Sequence, residues 1–183
     1  DSAFVDSGLT SIEIPSGVTG IGNSVFKNCY SLTSIEIPDS VTSIGDSAFY
    51  HCYWLTGIKI PNGVTSIGYA AFADCGQLTS IKIPNSVTSV GENAFKGCSK
   101  LSIIKIPDSV TSIGGNAFLN CRTGFTICGI ADSYAETYAK SNNISFVSID
   151  DMEVCVVVFN AVGGTNLGVV AKEVKEGQTV GTL

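Results

Sequence analysis

Ile44-Gly-Asp-Ser-Ala-Phe49-Tyr-His-Cys52-Tyr-Trp-Leu55-Thr-Gly-Ile58-Lys-Ile60-Pro61-Asn-Gly63-Val64-Thr65 is one copy of a unit that returns along the chain at a fixed interval. Pro15, Pro38, Pro61, Pro84 and Pro107 keep that interval, and so do Phe26, Phe49, Phe72, Phe95 and Phe118. Cys29, Cys52, Cys75, Cys98 and Cys121 form a third column in the same register. Self-similarity at a period of this length predicts a solenoid, in which each coil covers the apolar face of its neighbour. Such an architecture argues against a pocket enzyme.

Within the unit, Ile58 and Ile60 alternate with Lys59, the period-two pattern of a half-buried strand. Pro61 ends that strand, because it lacks the donor that a further ladder position needs. Asn62-Gly63 turns the chain, and Val64 to Gly68 reads as a second short strand with Thr65 outward. Gly68 is expected to hold a backbone conformation barred to other residues. Ala70, Ala71 and Phe72 are expected to point inward from a single helical or 3₁₀ turn, and Cys75 closes the coil. The inward set repeats: Leu32, Ile35, Ile37, Val41, Ile44, Phe49 and Cys52 return as Leu78, Ile81, Ile83, Val87, Val90, Phe95 and Cys98. A residue inserted inside a coil is expected to break the register of every column. The first copy is itself one residue short between Phe4 and Pro15, and it lacks the cysteine.

The chain has 183 residues, a net charge of −6 and no basic cluster, which makes nucleic acid and anionic membrane poor partners. No apolar run approaches the ~18 residues of a membrane span. Charged residues are 14% of the chain, well under the usual quarter, so Ser, Thr and Gly form much of the surface. The cysteine column is read as buried thiols packing as small hydrophobes, since parallel Cα–Cβ vectors make bridging awkward. Cys128 and Cys155 lie outside the column and are read as reduced and buried. Zinc is not expected, because ligands a full repeat apart do not form a CxxC-type site. Asp1-Ser-Ala-Phe4 repeats Asp46-Ser-Ala-Phe49, so further repeats or a cap are expected upstream.

The pattern Ile-Gly-x-x-Ala-Phe-x-x-Cys-x-x-Leu-Thr-Ser-Ile-x-Ile-Pro-x-Ser-Val-Thr-Ser resembles the BspA-like (Treponema-type) leucine-rich repeat. It runs through residues 1–121 as about five and a half copies of the 23-residue unit. The fold class expected is therefore a leucine-rich-repeat-like solenoid, β-rich with short helical turns. The resemblance implies a curved right-handed coil. It also implies a secreted or surface-anchored protein of a host-associated microbe that binds proteins or mediates adhesion.

After Cys121 the period stops. Residues 122–149 are expected to cap the solenoid, with Phe125 to Cys128 as a last strand. Ser133-Tyr-Ala-Glu136 fits a capping box, in which the two side chains satisfy each other's backbone donors. Ala135, Tyr138 and Ala139 would form the apolar face of the helix that follows. Asn142-Asn143 would end it, and Ile144 to Val147 would return as a strand. The segment from Ala131 to Lys140 resembles the closing element of the same repeat family. Asp150, Asp151 and Glu153 mark a linker over 150–153. Residues 154–183 resemble a Listeria–Bacteroides surface repeat, a small β-grasp-like module that is expected to be only partly present in this stretch.

Chemistry is sparse. His51 is the one histidine and is read as a surface residue, with no Ser/His/Asp or Cys/His set around it. Gly163-Gly164 lacks a Walker lysine and the spacing of a dinucleotide fingerprint. The 16 carboxylates are scattered, so no glycosidase pair can be placed. The Asn143-Ile-Ser145 sequon has meaning only in a glycosylating host. No catalytic, metal-binding or cofactor-binding residue is therefore assigned.

Two departures from the repeat suggest contacts with a protein ligand, a host or neighbouring-cell surface protein. Tyr30 and Tyr53 share a column that elsewhere holds Gly76 and Ser99, and Tyr50 and Trp54 lie close to Tyr53 in sequence. Tyr and Trp dominate binding hot spots. The outward position of the first strand reads Glu13, Glu36, Lys59, Lys82, Lys105, a ladder acidic at one end and basic at the other. The expected function is a non-enzymatic extracellular binding or adhesion module. A spacer or targeting arm within a larger surface protein is the alternative, and an enzyme comes third.

Overall fold

Phenylalanine rings from successive coils lie in file along the axis of the computed structural model, which describes residues 1–149. Phe4, Phe26, Phe49, Phe72, Phe95, Phe118 and Phe125 form one continuous stack, with centroids 5.2–5.5 Å apart. Phe26, Phe49, Phe72 and Phe95 are fully buried, and the Leu, Ile, Val and Cys columns pack around them in one core. The linker over 150–153 and the module over 154–183 lie outside the described residues.

The strands are short. β1 (Gly57–Lys59) and β3 (Ser80–Lys82) pair in parallel, with Ile58 opposite Ile81 and Lys59 opposite Lys82. β2 (Ser66–Ile67), β4 (Ser89–Val90) and β6 (Ser112–Ile113) form a second parallel sheet. β5 (Ile103–Lys105), β7 (Thr126–Gly129) and β8 (Ser145–Ser148) form a third. First-strand and second-strand registers both advance by one full repeat, so each column meets its own kind in the next coil. Threonine strengthens this ladder. Thr33 sends both its N–H and its hydroxyl to the Thr10 carbonyl, and Thr79 does the same to Thr56.

The phenylalanine segment forms successive i→i+3 turns rather than a continuous helix. Lys27 N–H donates to Ser24 O, and Cys29 N–H donates to Phe26 O. Two columns lie in the left-handed region. One holds Ser24, Ser47, Ala70, Asn93 and Asn116 at φ 49–57°. The other holds Asn28, His51, Asp74 and Asn120 near 60°, with Gly97 at 74°. Short polar side chains tolerate this conformation better than most, which accounts for their recurrence.

Gly68 is a correction to the expectation of a barred backbone conformation. Its φ is not positive. Its constraint is spatial: a Cβ there would lie 2.6 Å from the Gly45 carbonyl carbon of the preceding coil. Gly45 and Gly91 are squeezed in the same way.

The short first coil keeps step with the second. Phe4 and Asp6 donate to Val25 and Lys27, and Thr33 donates to Thr10, so both flanking ladders stay in register. The missing residue is absorbed around Gly8, in the loop that in later coils carries Tyr30 or Tyr53. A copy one residue shorter is thus accommodated at that loop.

α1 (Tyr134–Ser141) and β8 close the C-terminal end of the described solenoid. Ala135, Tyr138 and Ala139 are buried, and the Tyr138 ring meets Phe118 edge-on. Ser133 Oγ accepts the Glu136 N–H as a cap should. The return bond goes one residue further back than the capping box predicts: Glu136 Oε2 accepts from Asp132 N–H at 2.7 Å. Asn143, at φ 54°, ends the helix.

Candidate functional site

The thiol column is structural. Cys52 Sγ donates to Phe26 O at 3.1 Å, Cys75 to Phe49 O and Cys98 to Phe72 O at 3.2 Å. Each of those carbonyls also accepts the cysteine N–H of its own coil. No disulfide forms among the described residues. Burial pushes the Cys52 and Cys121 thiols up to about 12, and Cys75 and Cys98 well above their usual value. These groups are not nucleophiles near neutral pH.

The variable loops behave differently. Tyr30, Tyr53 and Trp54 are each about half exposed, at 51%, 45% and 54%. Trp54 meets Tyr53 edge-on at 5.6 Å. The Tyr53 ring leans onto the next coil, where a Cβ on Gly76 would stand 2.5 Å from Cε2. Glycine at 76 is what gives the ring room. Tyr50 is placed less openly: its ring stacks on His51 at 4.1 Å, and the Lys27 ammonium sits 5.6 Å from its centroid. Burial raises the Tyr50 phenol, and the nearby Asp74 carboxylate adds to that rise.

Between these rings runs a shallow groove of about 270 Å³, lined by Tyr30, His51, Tyr53, Asp74, Gly76, Gly97 and Ser99. His51 Nε2 lies 3.0 Å from Asp74 Oδ2. Ser99 Oγ donates to Gly76 O at 3.2 Å. The groove thus crosses several coils, with aromatic walls and one carboxylate–imidazole pair. The structure brings Tyr30 and Tyr53 together on it and leaves Trp54 at its margin.

His51, Asp74, Gly76, Gly97 and Ser99 are not picked out as site residues by sequence reasoning. The repeat carries a signal for them, since His51 and Asp74 stand one repeat apart and therefore stack. His51 looks isolated only when the chain is read along its length.

Lys59, Lys82 and Lys105 lie on the exposed side of the first-strand columns. Lys59 stands 3.8 Å from Asp39, with both side chains mostly in water, a pair that contributes little. The ladder pairs Lys59 with Lys82, whereas Lys105 pairs with Cys128. Among the described residues, no group of three His, Cys, Asp or Glu side chains could hold a metal ion. None of their helices is long and apolar enough to cross a membrane.

Residues 1–124 match the BspA type leucine rich repeat region, in six copies. Among solved structures, the chain is similar to a leucine rich repeat protein of T. pallidum, with 30% identity and a TM-score of 0.62. That likeness covers 65% of this chain and 58% of the other. It is also similar to a leucine rich cell surface protein from Faecalibacterium prausnitzii A2-165, with 37% identity and a TM-score of 0.64. There the coverage is 76% of this chain and 35% of the other. The chain therefore spans less than two thirds of either protein. No curated protein matches it.

Proposed function

We propose, from the premise that the chain belongs to the BspA-type leucine-rich repeat family, that it is a protein-binding module displayed at or secreted from a microbial surface. A leucine-rich repeat is in general an interaction scaffold, and one similar protein is described as a cell surface protein. The partner would be a host or neighbouring-cell surface protein, and the role adhesion rather than catalysis.

One observation carries this reading. Tyr30, Tyr53 and Trp54 depart from the repeat and stay exposed at or beside a groove, whereas other exposed apolar side chains, Tyr69, Leu119 and Tyr134 among them, lie outside its lining. Large aromatic side chains left in water at variable positions are the residues that dominate interfaces. Lys59, Lys82 and Lys105 would supply a second, charge-dependent contact, which steers association more than it adds affinity.

The test is affinity capture from host or neighbouring-cell surface proteins with the full chain and with a Tyr53→Ala/Trp54→Ala variant. Loss of a captured protein with the variant supports the reading, and equal capture by both overturns the aromatic contact. Capture of nothing by either chain favours the spacer reading, which the self-complementary threonine ladders suit.

A further inference from the structure

We propose that the groove beside Tyr53 holds an arginine side chain of the partner protein. This rests on the protein-binding reading and names the chemistry that the groove would recognise. Three observations converge on it.

The first is a carboxylate with one oxygen unused. Asp74 engages His51 through Oδ2, while Oδ1 accepts no hydrogen bond from the described residues. No lysine or arginine among them pairs with it. The chain as a whole is acidic, at −6. A guanidinium is the cation that suits a carboxylate edge beside aromatic faces, because it forks its donors and stacks its plane.

The second is a notch opened by two glycines. In the left-handed column the residues are Asn28, His51, Asp74, Gly97 and Asn120. Gly97 sits directly against Asp74 Oδ1, so any side chain there would press on that oxygen. In the neighbouring column Gly76 follows Tyr30 and Tyr53, and it leaves the Tyr53 ring uncovered by a like residue. Carboxylate and ring therefore open onto the same space.

The third is a precedent inside the molecule. Lys27 already places its ammonium over the face of Tyr50. Among the described residues no lysine or arginine is so placed over Tyr30 or Tyr53, and tyrosine faces attract cations when one is in reach.

The experiment uses the full chain and reads NMR signals of the His51 imidazole, the one histidine in the sequence, and of the Tyr53 ring. The probes are N-acetyl-arginine amide, its neutral isostere N-acetyl-citrulline amide, and methyl glucoside. Arginine amide should shift both signals in a saturable way, and citrulline amide should not. Asp74→Asn should weaken the arginine response about tenfold, as expected for loss of a charge-assisted contact. Gly97→Asn should abolish it by filling the notch. That variant keeps its fold, since Asn120 holds the same column position at φ 59°. Saturable shifts with methyl glucoside but not arginine would overturn the assignment in favour of a sugar. Equal responses to arginine and citrulline, or none to arginine, would also overturn it. Capture of a partner that depends on Tyr53 and Trp54 would survive any of these outcomes, so the two readings fail separately.

Discussion

Cys75 Sγ lies 3.2 Å from the carbonyl oxygen of Phe49, one coil away. That carbonyl already accepts the Cys52 N–H, so the thiol fills its second lone pair in the core. A donor is needed at each such position, and it must be small and nearly apolar. Ser7 occupies the place in the first, more exposed coil. Cys75→Ala should cost about 1–3 kcal/mol, the range for a buried acceptor losing a partner. Cys75→Ser should recover part of that loss. Urea unfolding of the two variants beside the parent measures it.

Stability should fall in alkali. The folded thiols of Cys52 and Cys121 are raised to about 12, and those of Cys75 and Cys98 well above their usual value, because burial disfavours the thiolate. Below the unfolded value of 9.0, the thiols are neutral in both states and their contribution is complete. As pH rises past it, the unfolded chain releases protons that the folded chain retains, so unfolding is favoured. The slope is at most about 1.4 kcal/mol per pH unit for each thiol. Thermal melts between pH 8 and 11 should show the decline, and Cys75→Ala should flatten it by one proton.

The glycine file predicts a sharp contrast. A Cβ on Gly91 would lie 2.6 Å from the Gly68 carbonyl, whereas one on Gly115 meets nothing within 4 Å. Gly91→Ala should destabilise by about 1–3 kcal/mol through overpacking against backbone that cannot yield. Gly115→Ala should be neutral or slightly stabilising. A matched pair of melts decides it, and equal effects would contradict the close stacking.

Phe72 is sealed between Phe49 and Phe95. Phe72→Ala should cost about 3–5 kcal/mol by leaving a cavity in the stack. Phe4 is 36% exposed and has its stacking partner Phe26 on one side, so Phe4→Ala should cost clearly less. Denaturant midpoints of both variants test the ranking.

The exposed aromatics should separate binding from folding. Tyr53→Ala and Trp54→Ala should each change stability by no more than about 0.5 kcal/mol, the range for surface substitutions. Lys82→Glu should behave alike, while making capture of a partner less sensitive to salt. A large loss of stability in any of the three would reassign that residue to packing.

The period made the core legible. The Phe26 to Phe118 stack and the Leu and Val columns follow from positions one repeat apart, whereas Phe125 joins the stack from outside the period. Gly68 eludes this reading because one sequence does not distinguish a glycine required by torsion from one required by a neighbour's approach. The return bond of Glu136 to Asp132 rather than Ser133 depends on a side-chain rotamer that spacing leaves open. The groove was half legible. Exposed aromatics stand out against the repeat, but the His51–Asp74 pair emerges only when columns are read across coils.

The loop absorbing the shortened first copy is the same loop that presents Tyr30, Tyr53 and Trp54. Hydrogen bonding before and after it holds although the first copy is one residue shorter there. Diversification of what the protein touches is thereby uncoupled from what keeps it wound. A lineage can rewrite those few positions, or trim one of them, and retain the coils that carry them.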